Sequence, residues 1–367
     1  MTVDPRVRET VLGGPLPAYV YDPAVVGARI GALRDALPAG TRIAYAMKAN
    51  GHPSIVEAAA HAADAIEVAS AGELEAAAGT GKPLILSGPA KPDALLRRAV
   101  ERDAVINVES LHELRRIPGR ARICLRVNRR HPALPGRHHM SGVPTQFGFA
   151  EEDLDEALNA ANQHEVLGVH LHAVSNNLDA AAHAAYIQDC LDWARTRAAI
   201  GHVVNAGGGF GVDMTGRQAF DLDALRDLSL PAGRTLIVEP GRYVAAPAGW
   251  YAAEVLDIKH SHGTWFAVVK GGTHHFRLPA SWGYSHPFTV LDVDAWPYPW
   301  PRPEVIDAQV TVAGEQCNPR DVLARDEPVT RLRAGDVLLF ATTGAYGWEV
   351  AHHDFLRLDP PAFRIVT

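Results

Sequence analysis

Arg42-Ile43-Ala44-Tyr45-Ala46-Met47-Lys48 is the stretch that decides the fold, because it is an apolar, β-rich run that ends in a lysine. Seven similar runs follow it, at residues 65–70, 84–88, 104–109, 122–128, 166–172, 202–207 and 235–239. Ala-rich amphipathic stretches that predict helices lie between them, at 55–63, 72–79, 153–163 and 180–199. Strands that alternate with helices pair in parallel, so eight units predict a (β/α)8 barrel, with a doubly wound open sheet as the alternative.

The sequence pattern changes after residue 242. Helical periodicity fades, and β-rich runs separated by Gly, Pro and Asp turns appear at 251–258, 265–270, 304–312 and 336–340. They predict an all-β domain, a sandwich or a barrel, with which residues 18–22 are expected to pair as an N-terminal strand. The Pro- and aromatic-rich segment 282–303 is predicted to be a long loop. We therefore expect the barrel at 25–242 and a β domain built from 1–24 and 243–367.

The composition of the 367-residue chain excludes several classes of protein. Hydrophobic residues make up 47% and charged residues 21%, which is typical of a globular protein. A formal net charge of -7 and the lack of a basic run argue against nucleic acid and anionic membranes as partners. The sequence has no apolar stretch long enough for a membrane span and no signal-peptide pattern. Three widely spaced cysteines without a CxxC motif favour a reducing compartment, so we predict a cytoplasmic protein.

Polar residues fall at the ends of the predicted barrel strands, where catalytic groups of such barrels gather. Lys48 is predicted to be desolvated there, which lowers the pKa of an amine and suits attack on a carbonyl; a snorkelling lysine is the alternative. Glu239 closes the last strand and suits either an ion pair with Arg242 or a pyridine nitrogen. The glycines of 207–211, with Gly241 and Arg242, favour a phosphate site over a simple tight turn.

The His-x-His pattern at residues 170–172 raises the question of a metal site. It follows the sixth predicted strand, and no further carboxylate and histidine set with ligand spacing accompanies it. We therefore predict no metal, and we interpret these histidines as stacking, hydrogen-bonding or core residues.

Together these motifs resemble the fold-type III enzymes that use pyridoxal 5'-phosphate (PLP), in particular the ornithine and diaminopimelate decarboxylase group. Eight motifs in the family's order carry the resemblance, at residues 45–50, 67–74, 145–148, 170–172, 207–211, 239–242, 314–323 and 344–346. The resemblance covers nearly the whole chain and implies a TIM-like barrel with a second β domain, as in alanine racemase.

The resemblance also implies roles for individual residues. Lys48 would hold PLP as a Schiff base, His172 would stack on its ring, and Glu239 would pair with its pyridinium nitrogen. The residues expected around the phosphate are Ser175, Gly209, Gly241, Arg242 and Tyr346. Cys317 would reach the site from the second subunit of a head-to-tail homodimer and reprotonate the quinonoid intermediate after CO2 leaves; alone, it could equally be a small buried hydrophobe.

A narrower resemblance bears on the substrate. The residue after Cys317 is Asn318, whereas the decarboxylase motif has a carboxylate there that meets the substrate's distal amine. Segments 144–148, 172–177, 271–279 and 347–355 resemble decarboxylases of citrate-based siderophore pathways, of the staphyloferrin B, achromobactin and vibrioferrin type. This resemblance implies a carboxylate-rich substrate such as citryl-diaminopropionate or citryl-serine. The residues expected to bind it are Arg126, Asn318, His274, His275, Arg277 and His352, although fold support is an alternative for the histidines.

Three other interpretations remain. The first is a decarboxylase of free diaminopimelate, ornithine or lysine, which the neutral Asn318 disfavours. An amino acid racemase is the second, and a non-catalytic PLP carrier or pseudo-enzyme is the third. The Cys317 motif and the siderophore-type segments disfavour the racemase, and the predicted β domain disfavours the carrier. The presence of both Lys48 and Cys317 disfavours a pseudo-enzyme.

Overall fold

The computed structural model describes residues 3–367. Its helices, in chain order, are α1 Pro5–Leu12, α2 Pro23–Ala36, α3 Pro53–Ala62, α4 Ala71–Ala78, α5 Asp93–Glu101, α6 Leu111–Arg116, α7 Leu154–Ala160, α8 Ala180–Arg195, α9 Arg242–Ala245 and α10 Leu278–Trp282. Its strands are β1 Ala18–Tyr21, β2 Arg42–Ala46, β3 Ala65–Val68, β4 Leu84–Leu86, β5 Val105–Val108, β6 Arg122–Asn128, β7 His138–His139, β8 Phe149–Ala150, β9 Glu165–His170, β10 Val174–Ser175, β11 Val203–Asn205, β12 Thr235–Val238, β13 Gly249–Ser261, β14 Thr264–Val269, β15 Thr289–Leu291, β16 Glu304–Ala313, β17 Val322–Arg333, β18 Val337–Phe340 and β19 Ala362–Ile365. These elements form two compact units, one of residues 26–244 and one of residues 3–25 with 245–367.

The first unit is a closed parallel barrel. Its strands pair in the order β2, β3, β4, β5, β6, β9, β11 and β12, and β12 pairs with β2 to close the ring. All eight predicted barrel strands are present, so the (β/α)8 prediction is confirmed and the open sheet is excluded. Crossover helices such as α3, α4 and α8 connect successive parallel strands, as this pairing requires.

Seven of the eight predicted barrel strands extend past the C-terminal end of the observed strand, and only the run 122–128 ends with its strand. The run 65–70 ends as a strand at Val68, since the side chain of Ser70 caps α4 by accepting a hydrogen bond from the backbone N–H of Glu73. The Glu73 carboxylate in turn accepts from the backbone N–H of Ala69 at 2.6 Å. This reciprocal pair is a variant of the capping box, in which the carboxylate accepts from the residue before the N-cap, and it fixes the turn from β3 into α4.

One layer of apolar side chains fills the barrel, with one residue from each strand: Ala44, Ala65, Ile85, Val105, Cys124, Leu167, Val203 and Ile237. Alternate residues of a strand face the same side, so the residue two positions further along also faces the interior. On six strands that residue is polar, namely Glu67, Ser87, Asn107, Arg126, Asn205 and Glu239. The sequence therefore places a polar layer directly above the apolar one, towards the C-terminal mouth of the barrel.

The second unit is mostly sheet. Its main path runs β15, β18, β13, β14, β16 and β17, and β1 pairs with both β13 and β19. The predicted pairing of residues 18–22 with this β domain is thus confirmed for Ala18–Tyr21. A buried apolar cluster that includes Val11, Val20, Ala252 and Leu339 packs α1 against this sheet.

Two predictions for this unit are wrong in detail. Segment 282–303 is not loop throughout, because Thr289–Leu291 pairs with β18. Val322–Arg333, a strand of 12 residues, was not predicted at all. It contains Pro328 and several exposed charges, which are tolerated because β17 pairs with β16 alone and lies at the edge of the sheet.

Candidate active site

Lys48 stands at the mouth of the barrel on a single 3₁₀ turn, Met47–Ala49, that follows β2. Its Nζ lies 2.6 Å from Oε2 of Glu67, whose side chain is fully buried, whereas the Lys48 side chain is 41% exposed. The expectation of a desolvated lysine is therefore wrong, because the strand ends two residues earlier and the turn carries the amine out of the core. The ion pair holds the amine in one place and leaves it open to a ligand.

Glu239 lies in the polar layer and is held by two neighbours. The Asn205 side-chain amide donates to its Oε1 at 2.7 Å, and Nε2 of His170 lies 3.4 Å from its Oε2. Burial alone would raise the pKa of Glu239, but the adjacent His170, the Lys48 amine and the Asn205 hydrogen bond hold that pKa below its ordinary value. The buried carboxylate therefore stays ionised and can face a cationic ring nitrogen.

His172 presents a flat, neutral ring at the mouth. It stacks parallel to His170 with ring centroids 6.2 Å apart, and its Nδ1 accepts from the backbone N–H of Gly208 at 3.2 Å. Desolvation, with the nearby charges of Arg126 and Lys48, holds the pKa of His172 well below its usual value. Gly207 packs under the ring with φ of 73°, and a Cβ there would meet the Cβ of His172 at 2.4 Å. The glycine run thus makes room for the imidazole.

Four of the five residues predicted to hold a phosphate, Ser175, Gly209, Gly241 and Arg242, belong to the barrel unit. The Ser175 hydroxyl is buried at the end of β10 and has no hydrogen-bond partner within residues 3–367. Gly209 follows β11 with φ of 102°, and the half-buried Arg242 opens α9 directly after Gly241. A buried hydroxyl without a partner costs stability, so Ser175 is suited to donate to a ligand oxygen. Tyr346 belongs to the second unit, where it is half-buried with φ of 54°.

Arg126 belongs to the same polar layer and is only 5% exposed. Its Nη1 donates to Oε1 of Glu109 at 2.9 Å, and its guanidinium lies 4.3 Å from the ring centroid of Phe147. The backbone N–H of Gly148 donates to the other oxygen of Glu109 at 3.0 Å. Because Glu109 already balances its charge, Arg126 is better placed to hold the 145–148 segment than to neutralise a second anion.

The second unit carries a cavity of about 590 Å³. Three of the residues predicted to bind the substrate line this cavity, namely Asn318, Arg277 and His352. Arg320 and Arg325 also line it, and its lining contains neither Asp nor Glu. The Cys317 thiol, next to Asn318, is exposed, whereas the other two cysteines are buried.

His274 and His275 lie inside the fold of the second unit and are fully buried. Both ring nitrogens of His275 have contacts, with the Tyr251 hydroxyl at 3.2 Å and the backbone carbonyl of Asp359 at 2.9 Å. The pKa of His275 is held at about 3, mainly by desolvation. This geometry argues against the substrate contact predicted for His275 and favours fold support. His274 contacts Gln316 and is not among the residues that line the cavity.

Sequence reasoning missed several residues of these sites. Asn205, which orients Glu239, lies in a β-rich run, and its inward position follows only from the strand register. Arg320 lies inside the 314–323 motif and Arg325 lies just after it, but their convergence on one cavity depends on the turn between β16 and β17. The positive charge of these two arginines is the feature of the sequence that could have identified them as anion-binding residues.

Two further findings concern the described residues alone. No group of three or more His, Cys, Asp and Glu side chains in the 3–367 range could hold a metal ion. Over the same range, no helix has both the length and the hydropathy that crossing a membrane requires.

Comparison with known proteins identifies the class. Residues 24–246 match the family model described as "Pyridoxal-dependent decarboxylase, pyridoxal binding domain". The chain therefore belongs to the pyridoxal-dependent decarboxylases of fold type III, and PLP is its cofactor.

Several relatives are similar over almost their full length. One is "2-[(L-alanin-3-ylcarbamoyl)methyl]-2-hydroxybutanedioate decarboxylase" of Staphylococcus aureus, 36% identical over 96% of this chain and 94% of that protein. A diaminopimelate decarboxylase of Deinococcus radiodurans is 33% identical over 90% of this chain and 85% of that protein. Among solved structures, diaminopimelate decarboxylase from Helicobacter pylori complexed with L-lysine superposes with a TM-score of 0.80 at 26% identity, covering 96% and 92% of the two chains.

The barrel mouth fits the cofactor of this family. A lysine amine, an ionised carboxylate in the polar layer, a flat neutral imidazole and a buried hydroxyl without a partner are all present. The amine can bond to the aldehyde of the cofactor, and the carboxylate can balance the charge of its pyridinium. The imidazole offers a stacking surface for the ring, and the hydroxyl can donate a hydrogen bond to the phosphate. The chain is thus an amino acid decarboxylase whose barrel has the groups needed to hold PLP.

Proposed function

We propose that this decarboxylase acts on an L-amino acid joined to a citrate-like polycarboxylate, in siderophore biosynthesis, and that citryl-diaminopropionate is the best candidate substrate. The observation that carries the proposal is the cavity of the second unit, whose charged lining is entirely cationic. The relative from Staphylococcus aureus supports it, because the name of that enzyme describes 3-aminoalanine joined by an amide to a hydroxylated dicarboxylate.

The charge of the cavity discriminates between substrate classes. The guanidiniums of Arg277, Arg320 and Arg325 make no ion pair with a carboxylate of the described chain, so they are available to a substrate anion. Guanidinium groups bind carboxylates through paired, charge-assisted hydrogen bonds. A free diamino acid would instead bring an ammonium group towards these cations. The alternative, diaminopimelate, carries a distal carboxylate as well as an amine and is supported by other relatives.

The barrel residues then have the following roles. When bound, PLP supplies an electron sink for the bond that breaks as CO2 leaves. Lys48 would hold the cofactor, and Glu67 would keep the Lys48 amine in place. Glu239 stays ionised and would balance the charge of a protonated ring nitrogen, while His172 would supply a stacking surface for the ring. Ser175, Gly209, Gly241 and Arg242 would bind the phosphate.

Cys317 is the proposed proton donor to Cα after CO2 has left. We propose that its turn completes the barrel site of a second subunit in a head-to-tail homodimer. Mixed chains test this directly: inactive Lys48→Ala and Cys317→Ala proteins should regain activity after subunit exchange. No recovery after verified exchange would contradict the shared site.

The experiment that tests the function is CO2 release by the PLP-loaded protein from a panel of substrates. The panel compares citryl-diaminopropionate and citryl-serine with diaminopimelate, ornithine and lysine. We expect release from a citryl conjugate and little from the free diamino acids. Release from a free diamino acid alone would overturn the proposal and favour a lysine or polyamine pathway.

A further inference from the structure

The side chain of Gln316 is a buried junction between three other side chains of the second unit. Its Nε2 donates to the Thr273 hydroxyl at 3.0 Å and to Nδ1 of His274 at 3.1 Å. Its Oε1 lies 3.3 Å from Nε2 of His352, which is therefore the donor of that pair. All the hydrogen-bonding groups of the carboxamide are engaged, and this leaves it a single orientation.

Gln316 also lies at the base of the turn that carries Cys317. The carboxylate of Asp321, only 1% exposed, accepts from the backbone N–H groups of Gln316 at 2.9 Å and Thr273 at 2.6 Å. A Cβ at Gly314 would lie 2.2 Å from that carboxylate, so only glycine fits there. The turn is therefore fastened to the 271–275 loop at two points, the Asp321 carboxylate and the Gln316 carboxamide.

His352 connects this junction to the cationic cavity. It lines the cavity together with Arg277, while its Nε2 is held by Gln316. Gln316 is also the immediate neighbour of Cys317 in the chain. One carboxamide thus lies one residue from the exposed thiol and one hydrogen bond from an imidazole that faces the cavity.

We propose that Gln316 is a positioning residue that fixes two groups at once, the His352 imidazole in the cavity wall and the turn that presents the Cys317 thiol. The inference rests on the proposed function only for the roles of the cavity and the thiol. The geometric coupling of the turn to His352 is a property of this chain without substrate. It can therefore be tested on the protein without cofactor.

The first test is backbone hydrogen exchange in the cofactor-free protein. Gln316→Met keeps the length of the side chain but removes all three of its hydrogen bonds. We expect amide exchange in residues 314–321 to become roughly tenfold faster or more. The control is Gln309→Met, the same change at an exposed position of β16, which should leave that segment unchanged. Unchanged exchange of residues 314–321 in Gln316→Met would overturn the inference.

The second test is a titration of His352 in Gln316→Glu, followed by the ring signals in NMR and assigned with His352→Phe. In the wild type, desolvation and the charges of Arg277 and His353 lower the pKa of His352, whereas Asp321 raises it. A carboxylate in place of the Gln316 amide favours the imidazolium, so the pKa of His352 should rise. A merely structural residue would not move this pKa, and an unchanged value would contradict the predicted contact.

Kinetics of the loaded enzyme separate the inference from the proposed function. Gln316→Met should raise KM for the citryl conjugate and also lower kcat, each by roughly tenfold, because the anion contact and the thiol move together. His352→Phe should change mainly KM. If Gln316→Met changes neither constant, the positioning role is wrong even though the wild type is active. If the wild type is inactive on citryl conjugates, the proposed function fails while the exchange and titration results still decide the inference.

Discussion

Asn318→Asp is the substitution that examines the charge of the cavity with the least disturbance. The side-chain oxygen of Asn318 accepts from the backbone N–H of Arg320 at 3.0 Å, and an aspartate oxygen can accept the same bond. The geometry of the turn is therefore preserved, and the change adds one negative charge to a lining that has none.

The size of the effect follows from Coulomb's law. A substrate carboxylate about 5 Å from the new aspartate is repelled by roughly 1 kcal/mol in a water-like medium and about 3 kcal/mol in a protein-like one. Asn318 is exposed and the arginines offset part of the charge, so we take about 1–2 kcal/mol. This corresponds to a roughly 5- to 30-fold loss of kcat/KM for a citryl conjugate.

The assay is kcat/KM for citryl-diaminopropionate, ornithine and lysine in parallel, at low and high salt. The loss with the conjugate should shrink at high salt, and the two diamino acids should become better substrates. Asn159→Asp, the same change at an exposed position of α7, should have no effect. If Asn318→Asp leaves the ratio between conjugate and diamino acids unchanged, the cavity does not bind the distal carboxylates.

Two further predictions concern the barrel. Gly207→Ala places a methyl 2.4 Å from the Cβ of His172, so PLP binding measured by absorbance should be lost, whereas Gly233→Ala, with a similar φ of 76° and open space around it, should retain the cofactor. His183 is buried, and desolvation lowers its pKa from 6.5 to about 4. Between pH 6.5 and 4 the unfolded chain therefore binds more protons than the folded chain, so the stability of the fold decreases as the pH falls. Between pH 7 and 5 this costs about 2 kcal/mol, and His183→Phe should reduce the pH dependence of urea unfolding by that amount; an unchanged dependence would show that His183 is not its source.

The barrel was predictable because its signals are local. Each strand is an apolar run. Because side chains alternate between the two faces of a strand, the apolar residue two positions before Glu67 or Glu239 faces the barrel interior together with it. The position of Lys48 was not predictable in the same way. The backbone N–H of Ala46, directly before its turn, donates to the carbonyl of Pro240, nearly 200 residues away, and the local sequence pattern does not contain this contact.

The second unit was less predictable because its strands are less uniform. β17 carries a proline and exposed charges that resemble a loop, and its place at the sheet edge is decided by pairing with β16. The sequence also does not show how deeply an individual side chain is buried. His275 and His352 look alike in the sequence, yet one is enclosed with both nitrogens in contact and the other lines a cavity.

The most direct measurement of the central claim is the fate of an isotopic label in citryl-diaminopropionate. With the label in the α-carboxylate of the diaminopropionate half, the wild-type enzyme should release one labelled CO2 per turnover, and Lys48→Ala should release none. With the label in the carboxylates of the citryl half, all of it should remain in the product. Retention of the α-carboxylate label, or release from the citryl half, would contradict the account.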